Sequence, residues 1–300
     1  MRTLILLFLS IRHFSLAQNQ DSIRFYDADS LFGWTQNGDV DFNFSNVGLK
    51  NWNGGGESAL ALNTEIDYSH DFFGRNMIWD NEVDLIFGLT RTEETKEFRK
   101  TDDRFELRSL LGRRLSKRTT LSFLAEFRTQ LAKGFSYNDS IDLNRKELVS
   151  SFLSPGYLNL NLGVTFKKRG MYTLTISPFT GKFTFVRVDS LANIGAFGVE
   201  PGRHLRFESG SSLNGVFRYE LTEGVWYRLS ANLFSGYESP TEIDVNVRSS
   251  IRIRANEFLT SSISGTLIYD KDVDIARDDG TIGPAVQYSY AVNVGLFFTF

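Results

Sequence analysis

From residue 37 onward, apolar and polar side chains alternate with period two, the mark of strands whose two faces meet different surroundings. The clearest run closes the chain. Tyr288, Tyr290, Val292, Val294, Leu296, Phe298 and Phe300 share one face, while Gln287, Ser289, Ala291, Asn293, Gly295 and Thr299 share the other, with Phe297 as the large apolar exception. In the same way Trp79, Val83, Leu85, Phe87 and Leu89 oppose Asp80, Glu82 and Asp84. Ile243, Val245, Val247, Ile251 and Ile253 oppose Asp244, Asn246, Arg248, Arg252 and Arg254.

About twelve such segments follow one another, at 38–47, 57–70, 76–91, 102–115, 119–133, 151–167, 171–187, 204–220, 224–235, 242–254, 257–270 and 286–300. Each reaches the ~9–11 residues that a tilted strand needs to cross a bilayer, whereas strands in soluble proteins centre on ~5–6. Pro155 lies near a segment start. Pro178 falls inside the seventh segment, and because proline cannot donate to a ladder, a bulge or a break is expected there.

The connections are sorted by length. Those at 71–75, 116–118, 168–170, 221–223 and 255–256 are short, and the alternate ones are generally longer and rich in Gly, Asp and Asn. Short periplasmic turns and long outer loops distinguish outer-membrane barrels, and an even strand count with both ends periplasmic puts every short turn on one side. The expected fold is therefore all-β: a transmembrane antiparallel up-and-down barrel with the apolar face toward lipid and the charged face toward the bore. A soluble barrel with the opposite orientation has the same period but no reason for sorted loops.

The N-terminus adds to this picture. Arg2, an apolar stretch over 4–11 broken at Ser10, and Ser15-Leu16-Ala17 form the three parts of a secretory signal cleaved before Gln18. Arg12 and His13 are unusual between the apolar part and the cut. The expected organisation is a signal peptide over 1–17, a periplasmic extension over 18–36 and a barrel over 37–300. No run of 18 apolar residues marks a transmembrane helix. The location implied is the outer membrane of a bacterial cell. The terminal Phe300 resembles the signal read by the barrel assembly machinery, and membrane lipid and lipopolysaccharide are the expected surroundings.

Composition narrows the chemistry. The chain has 27 Phe, 11 Tyr and 4 Trp, residue types suited both to strands and to membrane interfaces. A net charge of −3 gives no basic excess for bulk nucleic-acid binding. The absence of cysteine excludes disulfides, thiolate zinc sites and a Cys nucleophile. No cofactor and no metal site are expected. Asp270, Asp272 and Asp274 alternate, but Ile275 stands where a calcium loop of the EF-hand type needs Gly, so a solvated acidic outer loop is the preferred reading. His204 lies near Ser209 and Ser211, yet by strand parity both serines point to the opposite face, so no nucleophile–base pair and no catalytic residue are expected.

The bore is the remaining candidate. Charges there must be paired or hydrated. Acidic residues gather on the second and third segments, including Glu65, Asp67, Asp80, Glu82 and Asp84. Basic residues gather on the eighth to tenth, including Arg206, Arg218, Arg228, Arg248, Arg252 and Arg254. One reading is a transverse field selecting polar solutes, with Asp80, Glu82, Asp84, Arg218, Arg228, Arg248 and Arg252 as binding residues. The other is a salt-bridged, closed interior in a barrel that acts through its outer loops. Trp52 with Gly54, Gly55 and Gly56 forms the most unusual loop, read either as a ligand-contacting segment or as a tight turn with an interfacial anchor.

Short stretches also carry a family resemblance. They are Ser45-Asn46-Val47-Gly48-Leu49-Lys50-Asn51-Trp52 with Gly54-Gly55-Gly56, Trp79-Asp80-Asn81, Arg99-Lys100-Thr101-Asp102-Asp103, Leu153-Ser154-Pro155, Ile176-Ser177-Pro178, Ala196-Phe197-Gly198, Ile243-Asp244-Val245-Asn246 and Leu267-Ile268-Tyr269-Asp270. In this order they resemble a family of Bacteroidetes outer-membrane proteins known as domain of unknown function 3078, over about 34–300. The resemblance implies location and fold, and carries over no catalytic residue.

Overall fold

The computed structural model describes residues 32–48, 58–93, 95, 97–137, 146–256, 258–276 and 281–299. The signal segment, the loop holding Trp52, Gly54, Gly55 and Gly56, and Phe300 lie outside the described residues.

The alternating segments form strands close to where the period places them. They are β1 (Gly33–Val47), β2 (Ala59–Phe73), β3 (Met77–Thr92), β4 (Arg99–Arg114), β5 (Thr119–Thr129), β8 (Gly156–Lys168), β9 (Tyr172–Phe185), β10 (Leu205–Thr222), β11 (Val225–Gly236), β12 (Ile243–Arg254), β13 (Leu259–Tyr269) and β16 (Gln287–Thr299). Two small hairpins lie in the long connections, β6 (Gly134–Tyr137) with β7 (Lys146–Ser150) and β14 (Asp274–Ala276) with β15 (Ile282–Pro284). Helix α1 (Asp189–Asn193) and a 3-10 turn at Ala196–Gly198 occupy a third.

The twelve long strands close into one antiparallel barrel in chain order, β1-β2-β3-β4-β5-β8-β9-β10-β11-β12-β13-β16 and back to β1. Closure pairs the first strand with the last over Asp39–Asn43 and Gly295–Thr299, and such pairing is how a strand structure satisfies its backbone in lipid. The sorted connections survive in three dimensions: tight turns such as Glu223–Gly224 join the strands at one end, and the hairpins, α1 and the longer loops lie at the other.

The orientation of the wall follows the charge. Leu107, Leu111, Leu121, Phe123, Leu162, Ile176, Ile253, Ile263 and Leu267 stay exposed on the outside, while Glu82, Asp84, Glu106, Glu126, Arg228 and Arg248 are largely enclosed. This inverted distribution suits a lipid solvent. Aromatic rings mark the short-turn end of the outer wall, where Trp34 packs 5.2 Å from Phe72 and 5.8 Å from Trp79. Toward the long-loop end Phe183 and Phe207 pair at 4.8 Å. Such rings sit well at the two headgroup levels.

At Pro178 the seventh strand is bulged, not broken. Leu162 pairs with Phe179 and Val164 with Ile176, while on the other side Gly210 pairs with Thr180 and Ser212 with Ser177. The missing proline N–H is thus lodged where the ladder has an extra residue. Gly163 lies against this bulge. A Cβ there would collide with the Ile176 carbonyl oxygen and come within 2.6 Å of the Ser177 Cα, so only glycine lets the two backbones approach.

Candidate functional site

The lumen is crossed by ion pairs. Strands β3 and β11 lie six places apart in either direction round the ring, and so do β4 and β12. From β11, Arg228 reaches Glu82 on β3 with Nη2 2.7 Å from Oε1, and it also lies 3.7 Å from both Asp67 and Asp84. Arg218 on β10 donates to the same Glu82 oxygen. From β12, the Arg248 guanidinium meets both carboxylate oxygens of Glu106 on β4, at 3.2 and 3.4 Å. Two diametric braces therefore meet in mid-bore.

Further pairs fill the space beside them. Arg252 forms an ion pair with Asp41 at 3.0 Å and lies 3.5 Å from Asp67 and 3.9 Å from Asp39. Arg108 bridges Glu126 and Glu82 at 3.6 and 4.0 Å. The two-sided charge pattern seen in the sequence is thus real, but its members touch across the bore. Glu82, Asp84, Arg218 and Arg228 form one cluster. Arg252 joins it through Asp67, which Arg228 also approaches. Arg248 stands apart with Glu106, and Asp80 instead pairs with Lys167 on β8.

Below the braces, toward the short turns, the bore turns apolar. Ile78, Leu110 and Leu124 are fully enclosed, with Phe73 packed against them. They share strand parity with the charges, so they occupy the inside of the wall. The guanidinium of Arg114 lies 4.5 Å from the Phe73 ring centroid. Phe297, the apolar exception of the last strand, also points inward, under Arg254 at 4.6 Å and Arg252 at 5.4 Å. Its place on the polar face is explained by cation–π contact in a partly desolvated bore.

Toward the long-loop end, Lys182 on β9 lies among three carboxylates, 2.6 Å from Asp244, 3.3 Å from Glu208 and 3.4 Å from Asp270. Asp272 pairs with Arg206. The alternating acidic run is therefore partly occupied by fixed cations. Among the described residues no cluster of His, Cys, Asp and Glu has the makings of a metal site. The inner face of β5, β8, β9 and β10 carries a neutral ladder instead. Ser122 and Thr165 lie 2.6 Å apart, Thr165 and Thr175 2.8 Å, and Ser212 donates to Asn161 at 2.8 Å.

Neither this ladder nor Lys182 with its carboxylates stands out in the sequence, since Ser, Thr and Lys on a polar face carry no spacing signal of their own. Glu106, Arg108 and Glu126 belong to the charged face by parity, and only cross-bore pairing distinguishes them. His204 holds the 186–204 connection: its Nδ1 lies 2.8 Å from the Val186 carbonyl oxygen and its Nε2 3.6 Å from Asp189.

A closed wall of long antiparallel strands, greasy outside and ionic within, with two levels of aromatic rings, defines a transmembrane β-barrel of the outer-membrane type. Over residues 44–135 the chain carries the signature of a family described as a protein of unknown function (DUF3078), which bears out the resemblance for that part of the sequence.

Among solved structures, the chain is similar to an outer membrane channel from Pseudomonas putida F1, at 12% identity and a TM-score of 0.40, over 92% of this chain and 98% of the other. It is similar to OmpT, an outer membrane protein of Vibrio cholerae, at 5% identity and a TM-score of 0.30, over 89% and 97%. A refined porin gives 8% identity and a TM-score of 0.31, over 89% and 100%. No curated protein matches the chain.

Proposed function

We propose that this chain is a bacterial outer-membrane barrel whose bore is closed by ionic braces and which works through its outer loops, as a structural or interaction protein embedded in lipid and lipopolysaccharide. The barrel assembly machinery delivers the chain through its C-terminal strand, and the barrel carries out no chemical step of its own. The observation that carries it is the meeting of Arg228 with Glu82, and of Arg248 with Glu106, across full diameters of the ring. A polar-solute channel needs a continuous water path, and these pairs stand in it.

Planar-bilayer recording tests the reading. The wild-type barrel is expected to show no steady conductance, whereas a variant lacking both braces, Glu82→Ala with Glu106→Ala, opens small steps. Steady ohmic conductance from the wild type would overturn it.

A further inference from the structure

The seam that closes the ring is incomplete. Strand β1 pairs with β2 along its whole length, from Gly33 with Phe73 to Val47 with Ala59. It pairs with β16 only from Asp39 with Thr299 to Asn43 with Gly295. Toward the long-loop end, β1 continues through Phe44–Val47 and β16 through Gln287–Val294, and no described residue joins these two edges. Gly295 is where the zipped part ends. A Cβ there would collide with the Phe42 carbonyl oxygen and with Asn43 Oδ1, so the strands touch there and part beyond it. The side chains of β16 show the parting. Tyr288 and Tyr290 are 80% and 81% exposed, about twice the 40% of Leu267 in the fully paired wall.

A cavity of about 430 Å³ lies at this point. Its lipid side is made by Phe42, Phe44, Leu62, Val294 and Leu296. Its inner side is made by the amides of Asn43 and Asn63, which by parity with their exposed neighbours belong to the bore face. The volume falls within the ~300–1,000 Å³ common for small-molecule pockets. Open strand edges are not tolerated against hydrocarbon, so the N–H and C=O groups that no described residue meets here call for a polar partner inside the membrane. An apolar chain alone leaves them unmet, and bulk water alone leaves the greasy rim unmet.

We infer that the β1–β16 seam is a lateral cleft that takes a single-chain amphiphile from the membrane, its acyl tail along Phe42, Phe44, Leu62, Val294 and Leu296 and its hydrogen-bonding head toward Asn43 and Asn63. This goes beyond the closed-bore reading, since entry through the wall is independent of the axial path.

The test uses the full barrel in phosphatidylcholine nanodiscs with a diazirine-bearing palmitic acid as probe. After illumination, adducts are expected on Asn43 and Asn63 as well as on Phe44 and Leu62, and excess unlabelled palmitate lowers them at least tenfold. Adducts spread evenly round the outer wall, with none on Asn43 or Asn63, overturn the proposal. A second measurement uses the absence of native cysteine. The pair Ser45→Cys with Asn293→Cys, which a zipped seam would place opposite each other, is expected to oxidise far less completely than Asp41→Cys with Phe297→Cys in the paired part. Equal cross-linking overturns the open seam. Both readouts are separate from conductance, so failure here and failure of the closed bore are told apart.

Discussion

Arg228 of β11 and Glu82 of β3 meet at 2.7 Å across the whole width of the barrel, although 146 positions separate them in the chain. Removing Glu82 takes away the shortest partner of Arg228 and leaves it Asp67 and Asp84 at 3.7 Å; breaking an enclosed pair costs up to about 3–5 kcal/mol. Glu82→Gln is therefore expected to lower stability by an amount of that order, read as urea-induced unfolding in lipid vesicles. Glu82→Gln combined with Arg228→Met is expected to lose less than the sum of the two single changes. Additive losses would show that the pair is not coupled.

Leu162 tests the orientation of the wall. It projects from the middle of β8 and is 49% exposed, whereas its neighbour Asn161 is fully enclosed. An arginine on the lipid face near the bilayer midplane costs about 2–4 kcal/mol. Leu162→Arg is expected to destabilise the barrel by that amount in vesicles, and to have a much smaller effect on a barrel held in a polar environment. No loss in vesicles would place Leu162 away from hydrocarbon.

Gly163 tests the bulge. Backbone atoms, not flexible side-chain ends, occupy the space a Cβ would need. Gly163→Ala is expected to cost about 1–3 kcal/mol or more through forced backbone shifts, seen as loss of the compact, heat-modifiable band in gel electrophoresis. Gly215 is the control. The nearest atom to a Cβ added there is in the Leu174 side chain at 3.6 Å, and Gly215→Ala is expected to fold normally.

Lys182 tests the outer layer. With Asp244, Glu208 and Asp270 all within 3.4 Å of its ammonium, Lys182→Met leaves three carboxylates facing one another. The expected result is a loss of about 3–5 kcal/mol at neutral pH, measured by urea unfolding. Lys182→Arg is expected to recover part of it. A neutral effect of Lys182→Met would show that water, not the lysine, balances these acids.

The wall is readable in the sequence because a period of two is a local property. Trp79 outside and Glu82 inside follow from parity alone. The bulge at Pro178 is readable for the same reason: one residue lacks one donor. The contents of the bore are only half readable. Parity puts Arg228 and Glu82 inside, but whether they stand at the same height depends on the stagger of every strand between them. That stagger is a sum of registers that no single segment encodes. Ile78, Leu110 and Leu124 lie on the charged face, and isolated apolar residues there break the alternation without announcing a layer. The seam is not readable at all. Strand lengths say how far β1 and β16 run, but not where their pairing stops.

The reach of Arg228 to Glu82 also constrains the order of folding. Glu82 and Asp84 of β3 have their cross-bore cations on β10 and β11, and Asp80 has its own on β8, all later in the chain. Hairpins entering lipid one after another from the N-terminus would carry these acids into hydrocarbon with most of their counter-charges still outside, Glu82 having only Arg108 of β4 at 4.0 Å. The chain must instead keep its early strands in a wet, sheltered place until the late ones arrive. Insertion is then a single event, gated by the completion of the second half.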